Sequence, residues 1–123
     1  VESVYEQAGG SGYFFALVDR FYVDVAGDPV LRPLYPDDLT DARRHLALFL
    51  VQYWGGPPTY NEERGHPRLR MRHAPFVIGT LERDAWLRHM TDAVDSGPEL
   101  PPGVRRALLE YFAMAAASLM NAR

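Results

Sequence analysis

The stretch Gly65-His66-Pro67-Arg68-Leu69-Arg70-Met71-Arg72-His73-Ala74-Pro75-Phe76 is the most specific part of the chain. Pro67 can open a short helix, because its fixed φ suits a first helical turn. On that helix Leu69, His73 and Phe76 share one face. Pro75 denies it a full extra turn by pushing Ala74 out of the α region. Four arginines, Arg64, Arg68, Arg70 and Arg72, crowd the same segment. The reading that follows is of short helices trimmed by proline.

Working toward the N-terminus, Gly55-Gly56-Pro57-Pro58 is a firm helix stop. The helix it ends begins near Thr40 and carries Ala42, Leu46, Phe49, Leu50 and Tyr53 at i, i+4, i+7, i+8 and i+11. Between that stop and Gly65, the segment from Thr59 reads as polar loop. Further back, Phe14, Val18, Phe21, Tyr22 and Val25 repeat the same spacing on a helix that Ser11 can cap and Gly27 ends. Asp28-Pro29 restarts a helix, with Asp as N-cap, and Pro33 and Pro36 hold it to about one turn. Toward the C-terminus, Thr80 is the next N-cap, with Glu82 and Asp84 in the positive first turn. The helix after it puts Trp86, His89, Met90 and Ala93 on one face and closes at Asp95-Ser96-Gly97-Pro98. Pro101-Pro102 opens a last helix that buries Val104, Leu108, Tyr111, Phe112, Ala115 and Leu119. No segment alternates cleanly enough to predict a strand. The expected fold is all-α, one domain over residues 1–123.

Composition narrows the chemistry. A chain of 123 residues with 47% hydrophobic and 24% charged content has the balance of a globular domain. Ten Gly and ten Pro are too much punctuation for a long coiled coil or a simple four-helix bundle. The absence of Cys excludes disulfides, Cys-based zinc sites, iron–sulfur clusters and thiol catalysis. All 13 basic residues are Arg, which excludes Schiff-base lysine chemistry and a P-loop lysine. A net charge of −3 argues against a general nucleic-acid binder. The longest apolar stretch, Tyr111 to Met120, falls short of the roughly 20 residues that span a bilayer. With no export signal at Val1-Glu2-Ser3-Val4-Tyr5-Glu6 either, a cytoplasmic protein without membrane contact is expected.

Four histidines could carry chemistry. For His45, His66 and His89 the ordinary reading is a partly exposed or hydrogen-bonded side chain. His73 stands apart, on the apolar face of a short, Pro-terminated helix. It reads either as a satisfied core histidine or as a single axial ligand to a macrocycle. Their spacing contains no HExxH or His-x₃-His pair for zinc, and Glu63-Arg64-Gly65-His66 is the only Glu-x-x-His that a di-iron site would need in duplicate. The Arg cluster reads as a solvated face, as a phosphate-binding patch, or as partners for the carboxylates of a bound cofactor. Ser3, Ser11, Ser96 and Ser118 have no nucleophile-elbow context. Tyr22, Tyr35 and Trp86 each need a partner for OH or NH if buried. Their convergence on one polar ligand is something periodicity cannot show.

Taken together, several runs resemble the group II truncated haemoglobins. They are Phe21-Tyr22, Asp28-Pro29-Val30-Leu31-Arg32-Pro33-Leu34-Tyr35-Pro36, Gln52-Tyr53-Trp54-Gly55-Gly56-Pro57, the stretch from Gly65 to Phe76, and Glu82-Arg83-Asp84-Ala85-Trp86-Leu87. The resemblance covers essentially the whole chain from Tyr5-Glu6-Gln7-Ala8-Gly9-Gly10 onward. It implies a two-over-two helical sandwich around one haem b (iron protoporphyrin IX). By the same resemblance His73 is the proximal iron ligand, and Tyr22, Tyr35 and Trp86 are the distal donors that stabilise a bound ligand. Ala42 takes the distal gate position and Leu46 lies one turn further on. Phe49, Phe76 and Met90 are implied apolar haem contacts. Where relatives often have a basic residue facing a haem propionate this chain has His45, which would pair weakly and with pH dependence; Arg72 is the better partner.

The function implied is binding of O₂, NO or CO with slow release, in support of nitric oxide dioxygenation or peroxide-type chemistry. The alternative is a non-enzymatic O₂ carrier or ligand sensor. No catalytic residue beyond the haem site is implied. An external reductase is expected, since the chain offers no flavin or nicotinamide motif. The oligomeric state is left open, a homo-oligomer included.

Overall fold

Amphipathic spacing and Gly/Pro punctuation produce seven α-helices and one 3₁₀ turn among residues 2–122, which the computed structural model describes. They are α1 (Val4–Ala8), α2 (Ser11–Ala26), the 3₁₀ turn Arg32–Leu34, α3 (Thr40–Tyr53), α4 (Thr59–Arg64), α5 (Leu69–His73), α6 (Thr80–Asp95) and α7 (Pro102–Ser118). No strand occurs among the described residues, and no helix is long and apolar enough to cross a membrane. Helix α2 packs against both α3 and α6, and α6 packs against α7. Two helices thus lie over two others, the two-over-two sandwich.

The core sits along α2, whose expected apolar face is buried in full: Phe14, Val18, Phe21, Tyr22 and Val25. Met90 and Ala93 of α6 and Val104, Leu108 and Phe112 of α7 close on it. Truncating a side chain such as Phe14 there should cost about 3–5 kcal/mol, from lost transfer energy and the cavity left behind. The stripe on α3 behaves differently. Of its five residues only Leu50 is fully buried, while Ala42, Leu46 and Phe49 are half-buried and Tyr53 is exposed. Its core contacts come instead from Ala47, Leu48, Leu50 and Val51. The expected stripe faces a cavity.

Three local expectations need correction. Ala74, despite the Pro75 that follows it, stays in the α region at φ −55° and ψ −35°. Residues Thr59–Arg64 form helix α4, not loop. Its single buried residue, Tyr60, meets the Phe49 ring edge-on at 5.7 Å, while Gln52 Oε1 accepts the Asn61 N–H at 2.9 Å. One anchoring residue in six leaves no 3.6-residue periodicity to read. The N-caps of α2 and α6 lie one residue earlier than expected, at Gly10 and Gly79. Glu82 reaches back to accept the Gly79 N–H at 2.8 Å, so the side-chain cap comes from inside the helix. Asp28 does cap as expected, its Oδ1 accepting the N–H of Val30 at 2.7 Å and of Leu31 at 3.3 Å.

Candidate functional site

The half-buried stripe of α3 forms one wall of an apolar cavity of about 330 Å³. Ala42, Leu46 and Phe49 face it from α3, and Tyr111, Phe112 and Ala115 from α7. Tyr22 of α2, Tyr35 after the 3₁₀ turn and Trp86 of α6 line the same space. So do His73 and, from beyond α5, Phe76. Four sequence segments far apart in the chain therefore bring His73 and the three aromatic donors to one cavity.

The donors meet one another. The rings of Tyr22 and Tyr35 stand edge-to-face with centroids 5.5 Å apart, and Phe21 wedges between Tyr22 and Trp86 at 5.0 and 5.4 Å. The Tyr22 and Tyr35 phenols and the Trp86 indole are neighbours on the cavity wall, each perturbing the next. Burial, and then the neighbouring Tyr35, push the Tyr22 phenol far above its ordinary range, with Arg43 offsetting a little. Burial also raises Tyr35, partly countered by the neighbouring Tyr22 and Trp86. Both phenols therefore keep their protons at any physiological pH.

His73 is held by its own helix. Its Nδ1–H donates to the Leu69 carbonyl, one turn back, at 2.7 Å. That bond fixes the tautomer and leaves Nε2 with a free lone pair, the usual state of a metal-ligating imidazole. Two contacts that no local pattern announces secure the segment from outside. Asn121, after α7, donates to the carbonyls of Phe76 at 2.8 Å and His73 at 3.4 Å, while its Oδ1 accepts the Ile78 N–H at 2.8 Å. Arg72 donates to the carbonyls of Pro67 at 2.7 Å and Arg64 at 3.2 Å.

The cationic rim differs from expectation. His45 and Arg72 both line the cavity, as does Arg64. Arg72 is committed to two backbone carbonyls, so it acts first as a clip. His45 accepts from Arg64 Nη1 at 2.6 Å, and burial followed by the Arg64 charge lowers its pKa, which keeps it neutral. Arg64 also stacks 5.8 Å above the Tyr60 ring, and its Nε is buried without a partner. Of the four clustered arginines, Arg64 and Arg72 are the two that line the cavity. Met90 is not among the cavity-lining residues; it is fully buried in the core against which Trp86 packs. His66 is an exposed loop residue whose Nδ1 accepts the Arg68 N–H at 3.2 Å.

A two-over-two sandwich whose cavity presents one oriented histidine and a cluster of aromatic donors has the architecture of a truncated globin. The chain matches the family of bacterial-like globins over residues 3–118. It is 52% identical over 89 residues to group 2 truncated haemoglobin YjbI of Bacillus subtilis, covering 72% of this chain and 67% of that one. Its fold superposes on the haemoglobin of the thermophilic phototroph Chloroflexus aurantiacus with a TM-score of 0.95 at 52% identity, covering 98% and 99% of the two chains. For the thermostable haemoglobin of the actinobacterium Thermobifida fusca the TM-score is 0.94 at 54% identity, with 98% of each chain covered. The chain belongs to the group II truncated haemoglobins, within the bacterial-like globins. Membership makes it a haem-based binder of O₂ and kindred small gaseous ligands.

Proposed function

We propose that residues 1–123 form one globin domain that carries haem b on His73, holds O₂, NO or CO with slow release, and supports nitric oxide dioxygenation or peroxide-type chemistry. The observation that carries this reading is the meeting of Tyr22, Tyr35 and Trp86 on the wall of the cavity that also holds His73. When bound, haem would supply a redox-active iron able to take up a diatomic ligand.

The residues present fit that group. His73 Nε2 offers the lone pair an iron needs, because Nδ1 is tied to Leu69. Leu46, Phe49, Phe112 and Ala115 supply a water-excluding wall suited to a flat apolar macrocycle. The Arg64 guanidinium, a cation on the cavity lining, suits a carboxylate at its edge, with Arg72 nearby as support. On the ligand side, the Tyr22 and Tyr35 hydroxyls and the Trp86 indole N–H line the cavity as donors for a bound ligand. A hydrogen bond to a charged ligand contributes roughly 1.5–3 kcal/mol, or about tenfold to a hundredfold in release rate if it acts wholly there. Ala42 leaves ligand entry less blocked than a larger side chain would.

Slow release favours chemistry on the held ligand over storage, and electrons would come from a separate reductase. The test is spectral first: purified holoprotein should show a Soret band that CO and reductant shift. A protein without haem absorbance, or one whose spectrum His73→Ala leaves unchanged, would overturn the haem assignment. Steady-state assays of O₂-dependent nitric oxide consumption and of peroxidase turnover come second. Tight binding with neither activity would point to the carrier or sensor alternative.

A further inference from the structure

Asp28 is the one charged side chain buried with the core among the described residues, and the ligand site makes no direct use of it. Its Oδ1 caps Val30 and Leu31, and its carbonyl accepts the Arg32 N–H at 2.9 Å. Its Oδ2 turns the other way, toward α6, where His89 Nε2 lies at 2.5 Å and Arg88 Nη2 at 3.4 Å. A carboxylate only accepts, so the His89 proton sits on Nε2. The Arg88 arm is largely solvent-exposed and contributes little, whereas the His89 side chain is only 14% exposed. Around the other ring nitrogen of His89 stand Asp24, whose carboxylate is 3.9 Å from Nδ1, and Asp92.

This pair joins the two carriers of the ligand site. The segment that starts at Asp28 delivers Leu31 and Tyr35 to the cavity wall. Arg32 ties its far end, donating to the carbonyls of Tyr35 at 3.2 Å, Pro36 at 3.0 Å and Asp37 at 2.9 Å. The segment is thus one knitted unit whose anchor on α6 is His89, one turn beyond Trp86. Hydrogen bonds weaken steeply with misalignment. A shift of this unit relative to α6 therefore changes the placing of Tyr35 against Trp86 on the cavity wall, and with it the bonds both can make to a ligand.

We propose that the His89–Asp28 pair is a positioning device that sets the spacing of Tyr35 and Trp86, and through it the rate at which ligand leaves. The inference rests on the reading of Tyr35 and Trp86 as ligand-holding groups. His89 and Asp28 touch no ligand and act only through the segment between them.

The test compares His89→Leu, His89→Gln and Trp86→Phe in the holoprotein. Each is measured for O₂ release by stopped flow, for the stretching frequency of bound CO, and for thermal unfolding. His89→Leu should raise release about threefold to tenfold, the equivalent of one ordinary hydrogen bond, and move the CO band. His89→Gln keeps an N–H near the position of Nε2 and should restore both. A purely structural role for His89 would lower the unfolding temperature and leave the CO band in place, which overturns the proposal. It is also overturned if Leu and Gln behave alike. If Trp86→Phe changes neither release nor the CO band, the ligand-site reading itself fails; if it changes both while His89→Leu changes neither, only the positioning inference does.

Discussion

The wall that carries Tyr22 and the segment that carries His73 are held in place by opposite means. Tyr22 sits on a 16-residue helix with seven buried residues, locked among the rings of Phe21, Tyr35 and, through Phe21, Trp86. His73 ends a five-residue helix with no buried residue at all, entered through Arg68 at φ 47°. A non-glycine residue in that left-handed region is unfavourable unless its surroundings enforce it. Around it Met71, Phe76 and Val77 are exposed. What secures this strap is polar: the Leu69 carbonyl, the Arg72 clip and the Asn121 bridge. Ring packing makes the donor wall part of the core, so its geometry comes with the fold. On the function proposed above, the His73 strap is expected to open more easily, with its order coupled to the haem it would hold.

Removing the strap's ligand should have the largest effect and should leave the donor wall untouched. His73→Ala is expected to weaken haem retention beyond the roughly 10–100-fold that loss of a merely supporting group costs. Haem transfer to a scavenging apoglobin measures this, and retention at the wild-type rate would break the contrast. Tyr35→Phe comes next and should do the reverse. Release of O₂ should rise about tenfold to a hundredfold, with haem transfer unchanged. If Tyr35→Phe instead loses haem, the donor wall is not an independent part of the core.

The same contrast explains what was legible beforehand. Tyr22 and Trp86 fall on long amphipathic helices, and His73 on a face marked by Leu69 and two prolines, so spacing puts them on packed faces while only the resemblance assigns them roles. The α3 stripe was visible as a stripe, yet periodicity cannot distinguish a face turned to protein from one turned to a cavity. The polar clips left no such trace. Asp28 meets His89 across 61 residues of sequence, and Asn121 meets Phe76 across 45. Pairings of that kind arise only once helices are packed. For the same reason spacing cannot choose Arg64 from the cluster of four arginines, since the pattern around it is that of an exposed, charged turn. A core methionine and a cavity methionine share one helical spacing, which is why Met90 reads as either.

Asn121 tests whether the strap is as loosely held as its lack of burial implies. Asn121→Ala removes three hydrogen bonds to the segment 73–78. Each contributes on the order of 1 kcal/mol to local order. Amide exchange over residues 69–78 should accelerate at least tenfold, and haem loss should rise several-fold, while amides of α2 stay protected. Equal acceleration in α2 would show that strap and core open together.

The smallest effect is expected from acid, and it lies on the donor side. The hydrogen bond from His89, then that from the Val30 N–H, hold the Asp28 carboxyl below the usual carboxylate value. The folded protein therefore binds this proton less readily than the unfolded chain. The pair contributes stability above the unfolded value, near about 3.9, and that contribution is lost as pH falls through the lower folded value. Arg88 favours the charged form of Asp28, whereas Asp24 and Asp92 compete for the charge of a protonated His89. Urea unfolding at a series of pH values should show the wild type losing stability across this acid window more steeply than Asp28→Asn, which carries no titratable group there. Exchange protection of Val30 and Leu31 should fall in the same window, because the carboxylate that caps them is the group being protonated. Parallel acid profiles for the two proteins would mean that aromatic packing alone holds the Tyr35 segment.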